Sequence, residues 1–234
     1  MNKKKLISLS LVVIMIAILS FSTLAWFNDT DYVTNKFHVA TSDDPSDPDD
    51  IFSVDVLEKV DTDGDGVADT VGEGVDGGGA EFENILPGSN FVKEPIVKNT
   101  GAYDQYIRVV VTMSDARAWM DILGAGYDLS TIFAGHDEDL WTRSGDSGVK
   151  GENLVYVYYL DKTLAPEEEV TLFTHVKLPT SLTQEQMAKL DGGFELTIRA
   201  DAIQTENLGD GVTTAQQAFA VANWGNVANT APVA

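Results

Sequence analysis

Apolar residues recur at every second position in short runs bounded by turn residues, and that spacing fixes most of what this chain can become. Phe52, Val54 and Val56 alternate with Ser53 and Asp55, the period of a half-buried strand. Residues 107–111, 154–160, 170–178 and 194–203 are further runs rich in β-branched or aromatic side chains. In the last run, Phe194, Leu196, Ile198, Ala200 and Ala202 fall on one face, with Glu195, Thr197, Arg199 and Asp201 on the other. Leu86-Pro87-Gly88-Ser89, Asn99-Thr100-Gly101 and Ala165-Pro166 punctuate the series as turns. Many short strands of this kind predict an all-β fold, a β-sandwich or jelly roll.

A few short helices are expected in the connections. Ser114 stands where it could cap a helix running to Leu123, with Gly124 as its stop. Thr183 and Gln186 have capping-box spacing, Leu182 is positioned to staple onto Met187, and Gly192 would close that helix. Thr213 or Thr214 could open a last helix through Phe219 and Val221 towards Trp224. Short helices of this kind are expected to bridge sheet edges. Two stretches are too polar to be core. Residues 41–50 carry five aspartates and two prolines, and residues 61–80 carry seven glycines and six acids with no basic residue. They read as acidic insertions in a single domain spanning residues 26–234.

Residues 1–25 read as a signal peptide. Lys3, Lys4 and Lys5 precede an apolar core over residues 6–19, and Thr23 and Ala25 supply small residues at the −3 and −1 positions. The competing reading is a retained anchor, because residues 6–25 are nearly long enough to span a bilayer; the short apolar core and the strand-like sequence after it favour cleavage. Cutting between Ala25 and Trp26 removes three lysines and no acid, taking the formal charge from −22 to −25 and leaving 209 residues. Such an acidic chain is a poor ligand for nucleic acid, since phosphate contacts need a basic surface. With no cysteine, disulfides, thiolate metal sites and thiol nucleophiles are excluded.

The sharpest local motif is Asp61-Thr62-Asp63-Gly64-Asp65-Gly66-Val67-Ala68-Asp69. Asp61, Asp63 and Asp65 at loop positions 1, 3 and 5, glycine at 6, the Val67 carbonyl and Asp69 at 9 match the first half of an EF-hand-type loop for Ca²⁺. Position 12 is Gly72, where a bidentate glutamate belongs, and Glu73 comes one place late. The pattern is closer to abbreviated calcium loops of extracellular modules, which bind weakly and structurally; the alternative is an empty acidic surface loop. Catalytic motifs are missing: there is no His-Glu-x-x-His, no Gly-x-Ser-x-Gly and no phosphate-cradling loop. Of the three histidines, His136 sits in a charged run, His136-Asp137-Glu138-Asp139, that reads as a surface turn, and His175 reads as a strand residue. No catalytic residue is assigned, and the chain is not expected to be an enzyme.

Several segments resemble the TasA/camelysin family. At the signal junction these are Thr23-Leu24-Ala25-Trp26-Phe27-Asn28-Asp29-Thr30-Asp31 and Val33-Thr34-Asn35-Lys36-Phe37. A first block follows with Leu86-Pro87-Gly88-Ser89, Val97-Lys98-Asn99-Thr100-Gly101 and Tyr106-Ile107-Arg108-Val109. Tyr158-Tyr159-Leu160, Leu164-Ala165-Pro166, Leu172-Phe173 and Val176 resemble a second. Ala200-Asp201-Ala202-Ile203-Gln204-Thr205 with Ala218-Phe219 resembles the closing strand. Neither acidic insertion fits a family block.

The resemblance implies a secreted jelly-roll subunit, exported through a SipW-type signal peptidase, that polymerises head to tail into matrix or cell-surface fibres. Its donor strand would be the N-terminal segment bearing Trp26, Phe27, Tyr32, Val33, Phe37 and Val39, too apolar to leave in water. In the isolated monomer that segment is expected to fold back as the first strand of its own sheet. No stable membrane anchor is expected after cleavage. Two other readings stand beside the fibre subunit: a secreted camelysin-like metal-dependent protease, for which no zinc ligand set is evident, and a monomeric calcium-dependent adhesin. N-terminal sequencing of the secreted protein should return Trp26 as its first residue; a chain retaining residues 1–24 would refute the cleavage.

Overall fold

The computed structural model describes residues 28–33, 53–61, 65–70, 82, 85–124, 128–190, 193–206 and 208–222. Twelve strands among them form two six-stranded sheets in which every pairing is antiparallel. One sheet holds β1 (Asn28–Val33), β12 (Leu196–Gln204), β5 (Gln105–Met113), β9 (Asn153–Leu160) and β7 (Trp141–Arg143) in that order, with β8 (Gly148–Lys150) also on β9. The other runs β3 (Asp69–Thr70), β2 (Val54–Val60), β4 (Asn90–Asn99), β11 (His175–Lys177) and β6 (Phe133–Ala134), with β10 (Glu169–Thr171) also on β4. The all-β reading of the sequence therefore holds.

Between the sheets lies the main core. Val54, Val56 and Val97 from the second sheet meet Ile107, Val109, Val111, Tyr156, Tyr158, Ile198, Ala200 and Ala202 from the first, and Trp119, Trp141, Phe133 and Phe173 complete the fill. The first sheet is also covered on its outer face. There Tyr106, Val110, Val155, Val157, Tyr159 and Ile203 pack against Ala215, Ala218 and Phe219 of a C-terminal helix, Ala215–Val221. Burial on both faces explains why β5 and β9 read as nearly continuous apolar runs.

Opposite the apolar face of β12, Arg199 and Asp201 are consequently buried rather than solvated, while Thr197 is half-buried. Asp201 stands directly across from Arg108 on β5. Arg108 Nε and Nη2 donate to Asp201 Oδ2 at 2.8 and 2.5 Å, and Arg199 Nη2 reaches the same oxygen at 3.0 Å. Arg199 Nε also lies 3.0 Å from Asp201 Oδ1, without the alignment of a hydrogen bond. The Arg108 guanidinium stacks 4.5 Å from the centre of the Phe219 ring, so the helix covers the ions with an aromatic face.

Pro95 explains a broken strand. The sequence reads residues 170–178 as one run, yet they form β10, paired with Ile96, Val97 and Lys98, and β11, paired with Asn90, Phe91 and Val92. The interruption falls beside Pro95, which has no N–H to give this neighbour; only its carbonyl is used, by Leu172 N–H at 3.0 Å. Buried Asn99 manages the crossing from β4 to β5. Its amide donates to the carbonyls of Tyr103 and Leu164, both at 2.8 Å, and its oxygen accepts from Gly101 N–H at 2.9 Å.

The helices follow their capping chemistry, with corrections. The first, α1 (Ala116–Leu123), ends at Gly124 as expected but is entered through Asp115, in left-handed conformation, while Ser114 instead accepts from Glu195 N–H. The second, α2 (Gln184–Met187), has the Thr183–Gln186 capping box complete but is a single turn, ending well before Gly192. The third, α3, is the cover over the first sheet; Thr214 is its cap, accepting from Gln217 N–H at 3.3 Å. It lies on a sheet face instead of bridging edges. Within the described part of the insertion at 61–80, Asp69 and Thr70 join the second sheet by pairing with Val60 and Lys59.

Removing one partner of a buried ion pair leaves uncompensated charge. Asp201→Ala should therefore lower unfolding stability in urea by about 3–5 kcal/mol. A loss of only about 0–1 kcal/mol, typical of an exposed pair, would contradict the burial of this triad.

Candidate functional site

The N-terminal strand is the first candidate. All six residues of β1 pair with β12, from Asn28 opposite Ile203 to Val33 opposite Ile198. Among the described residues it is an edge strand, with β12 as its single ladder partner in the sheet order. Tyr32 and Val33 of the expected donor segment lie in it; Ala25, Trp26, Phe27, Phe37 and Val39 lie outside the described residues. On the acceptor, Ile198, Ala200, Asp201, Ala202 and Ile203 are all buried. Stripped of β1, β12 would present unpaired backbone groups along an apolar strand, a template that recruits any available extended chain.

A second candidate is the acidic loop between β2 and β3. Asp61 accepts from Gly66 N–H and Asp65 accepts from Val67 N–H, each at 2.8 Å. Gly66 has φ +84°, a conformation glycine adopts without strain, which lets the chain wrap back onto Asp61. Asp69 is committed to strand pairing with Val60, and Asp63 lies outside the described residues. Both carboxylates thus accept from backbone N–H groups on the far side of the turn, at Gly66 and Val67. Among the described residues, no group of three or more His, Asp or Glu is gathered to hold a metal.

His136 and His175 are tied into the framework, and His38 lies outside the described residues. His136 Nδ1 lies 3.0 Å from the Leu172 carbonyl and its ring packs on Tyr158, while His175, within β11, contacts Thr174 Oγ1 at 2.9 Å. A cleft of about 430 Å³ opens beside α1, lined by Trp119, Met120, Leu129, Asp128, Arg143, Ser144 and Tyr156 among others. Arg143 pairs with Asp128 across its mouth at 2.6 Å. Burial opposes ionisation of Asp128, but bonds from Ser130 and Arg143 outweigh it and hold the carboxyl below its ordinary range. Burial, reinforced by Asp128, pushes the Tyr156 hydroxyl up to about 12. At neutral pH Asp128 and Arg143 are therefore a charged pair and the Tyr156 hydroxyl keeps its proton.

One buried pair had no signature in the sequence. Glu58 continues the apolar face of β2 after Val54 and Val56, and contacts Lys93 of β4. Both side chains are almost wholly enclosed, and burial pulls the Lys93 ammonium down to about 7. Among the described residues, no helix is long and apolar enough to cross a membrane. No protein-family model, curated protein or solved structure matches the chain.

Proposed function

We propose that this chain is an exported structural subunit that polymerises head to tail by passing its N-terminal strand to β12 of a neighbour. The observation that carries the reading is β1 itself, an N-terminal strand that among the described residues lies at the sheet edge and pairs only with β12. A segment that closes its own sheet in the monomer can close the same sheet in the next copy, with the same hydrogen bonds. Such donation is heterologous and does not close on itself, so it yields a filament. The sheet order is compatible with a jelly-roll connectivity, and the resemblance at residues 23–37 to the TasA/camelysin family points the same way. Transfer must also overcome the repulsion of a formal charge of −22 per full chain. Burying Trp26, Phe27 and Phe37 would contribute about 1.5–3 kcal/mol for each fully buried side chain.

Electron microscopy of the purified mature protein tests this. Filaments should form from the intact chain, faster in acid or with divalent cations. A folded domain fused ahead of Trp26, or deletion of residues 26–39, should abolish them, and a peptide of residues 26–39 should bind the deleted chain. Filaments from the deleted chain at the intact protein's rate would exclude strand donation.

The Asp61–Asp69 loop is proposed to hold Ca²⁺ weakly, as a brace on the β2–β3 hairpin through Asp61, Asp63, Asp65, the Val67 carbonyl and Asp69. Its fit rests on the turn about Gly66, which brings the N–H of the sixth position onto the Asp61 carboxylate at the first. Calcium that binds the native state raises the melting temperature by mass action. Titration should show that rise, and Asp63→Ala with Asp65→Ala should remove it. An unchanged melting temperature at millimolar calcium would leave the loop a solvated acidic turn.

A further inference from the structure

Glu58 and Lys93 occupy adjacent strands on the face turned to the core. In the β2–β4 ladder Glu58 stands opposite Pro95, and Lys93 is one step along, opposite Val60. Their side chains are 4% and 2% exposed, and Glu58 Oε1 touches Lys93 Nζ. Neither Glu58 oxygen accepts an aligned hydrogen bond among the described residues. Val54, Val56, Val60 and Val97 line the same face, so water is scarce there. A carboxylate and an ammonium held so deep, with the acid short of hydrogen-bond donors, form a costly pair.

We propose that Glu58 and Lys93 condense into an amide, a covalent cross-link between β2 and β4. Moving one proton from Lys93 Nζ to Glu58 turns the ion pair into an amine and a carboxylic acid, the forms an apolar core tolerates. Burial already brings the Lys93 ammonium down to about 7, so the free amine is accessible near neutral pH. The amine lone pair adds to Glu58 Cδ and forms the C–N bond. The C–O bond to one carboxyl oxygen breaks, and that oxygen leaves as water, carrying the acid proton and one proton from Nζ. The second oxygen stays as the amide carbonyl and the remaining Nζ proton as the amide N–H. No oxidant, cofactor or metal enters the balance.

Two features favour the step. The ladder holds nucleophile and electrophile in contact, and such fixed proximity is worth effective concentrations on the order of 10⁵–10⁸ M. The leaving water departs from a dry core, and the same dryness protects the amide from hydrolysis. The consequence is mechanical. The bond closes the chain around the acidic insertion at 61–80 and reduces the freedom of the unfolded state, as a disulfide would in a chain that had cysteines. The inference is independent of strand donation.

Mass spectrometry of the purified, denatured protein decides it. The principal species should be one water lighter than its sequence requires, and trypsin should fail to cut after Lys93. Peptides 37–59 and 60–98 should then appear joined through Glu58 and Lys93. Succinimide formation at Asp-Gly steps such as Asp63-Gly64 or Asp210-Gly211 also removes one water, so the variant Lys93→Arg is measured alongside. Its mass should be that of its sequence and its melting temperature lower than the parent's. Full mass in the parent with free cleavage after Lys93, or a water loss that persists in Lys93→Arg, would overturn the cross-link.

Discussion

The ladder between β5 and β12 is the constraint on which the rest of the structure depends. It pairs Gln105 to Met113 with Leu196 to Gln204 without interruption, and both of its faces are buried. Inward it supplies Ile107, Val109, Ile198 and Ala200 to the space between the sheets, and outward it supplies Tyr106, Val110 and Ile203 to the layer under α3. A strand pair enclosed on both sides cannot expose its charges, so Arg108, Arg199 and Asp201 satisfy one another in place. Phe219 then completes the enclosure by lying on Arg108. Stability of the outer layer and ion pairing in the sheet are therefore one problem with one solution, because lifting the helix would wet the ions.

Local rules made much of this legible. The period-two face of β12 enters the core as Leu196, Ile198, Ala200 and Ala202, and the Thr183–Gln186 box and the Thr214 cap form as their spacing dictates. What escaped was set by distant neighbours. Glu58 looks like a solvated residue in a strand, and only its contact with Lys93, far along the chain, places it inside. Arg199 and Asp201 look like a wet face because the helix that covers them begins beyond the strand's end. The gap between β10 and β11 could have been anticipated, since Pro95 lies mid-strand in β4, but which neighbour would meet its missing N–H depends on sheet order.

The candidate site divides the same way. A turn about Gly66 and an apolar N-terminal segment are local properties and could be read directly. That the backbone of Asp69 would pair with Val60 is a consequence of the β2 edge being available to it. The cleft beside α1 had no sequence signal at all, because its charged groups, Asp128 before the short helical turn Leu129–Ile132 and Arg143 at the end of β7, come from separate elements and meet only once β7 has joined β9.

The architecture also bears on how a sandwich could give up a strand without melting. Under the proposed exchange, β1 leaves from the edge, so departure breaks one ladder and leaves the β5–β12, β5–β9 and β2–β4 ladders whole. Asn99 keeps the crossing between sheets fixed through bonds to Gly101, Tyr103 and Leu164, none of them in the departing strand. The backbone pairing that is lost falls on β12, whose groups must be paired again because the residues that carry them are buried. An acceptor that is rigid, apolar and missing one strand favours the same extended segment from another copy over water, and acidic surfaces that repel in every other arrangement make that pairing selective.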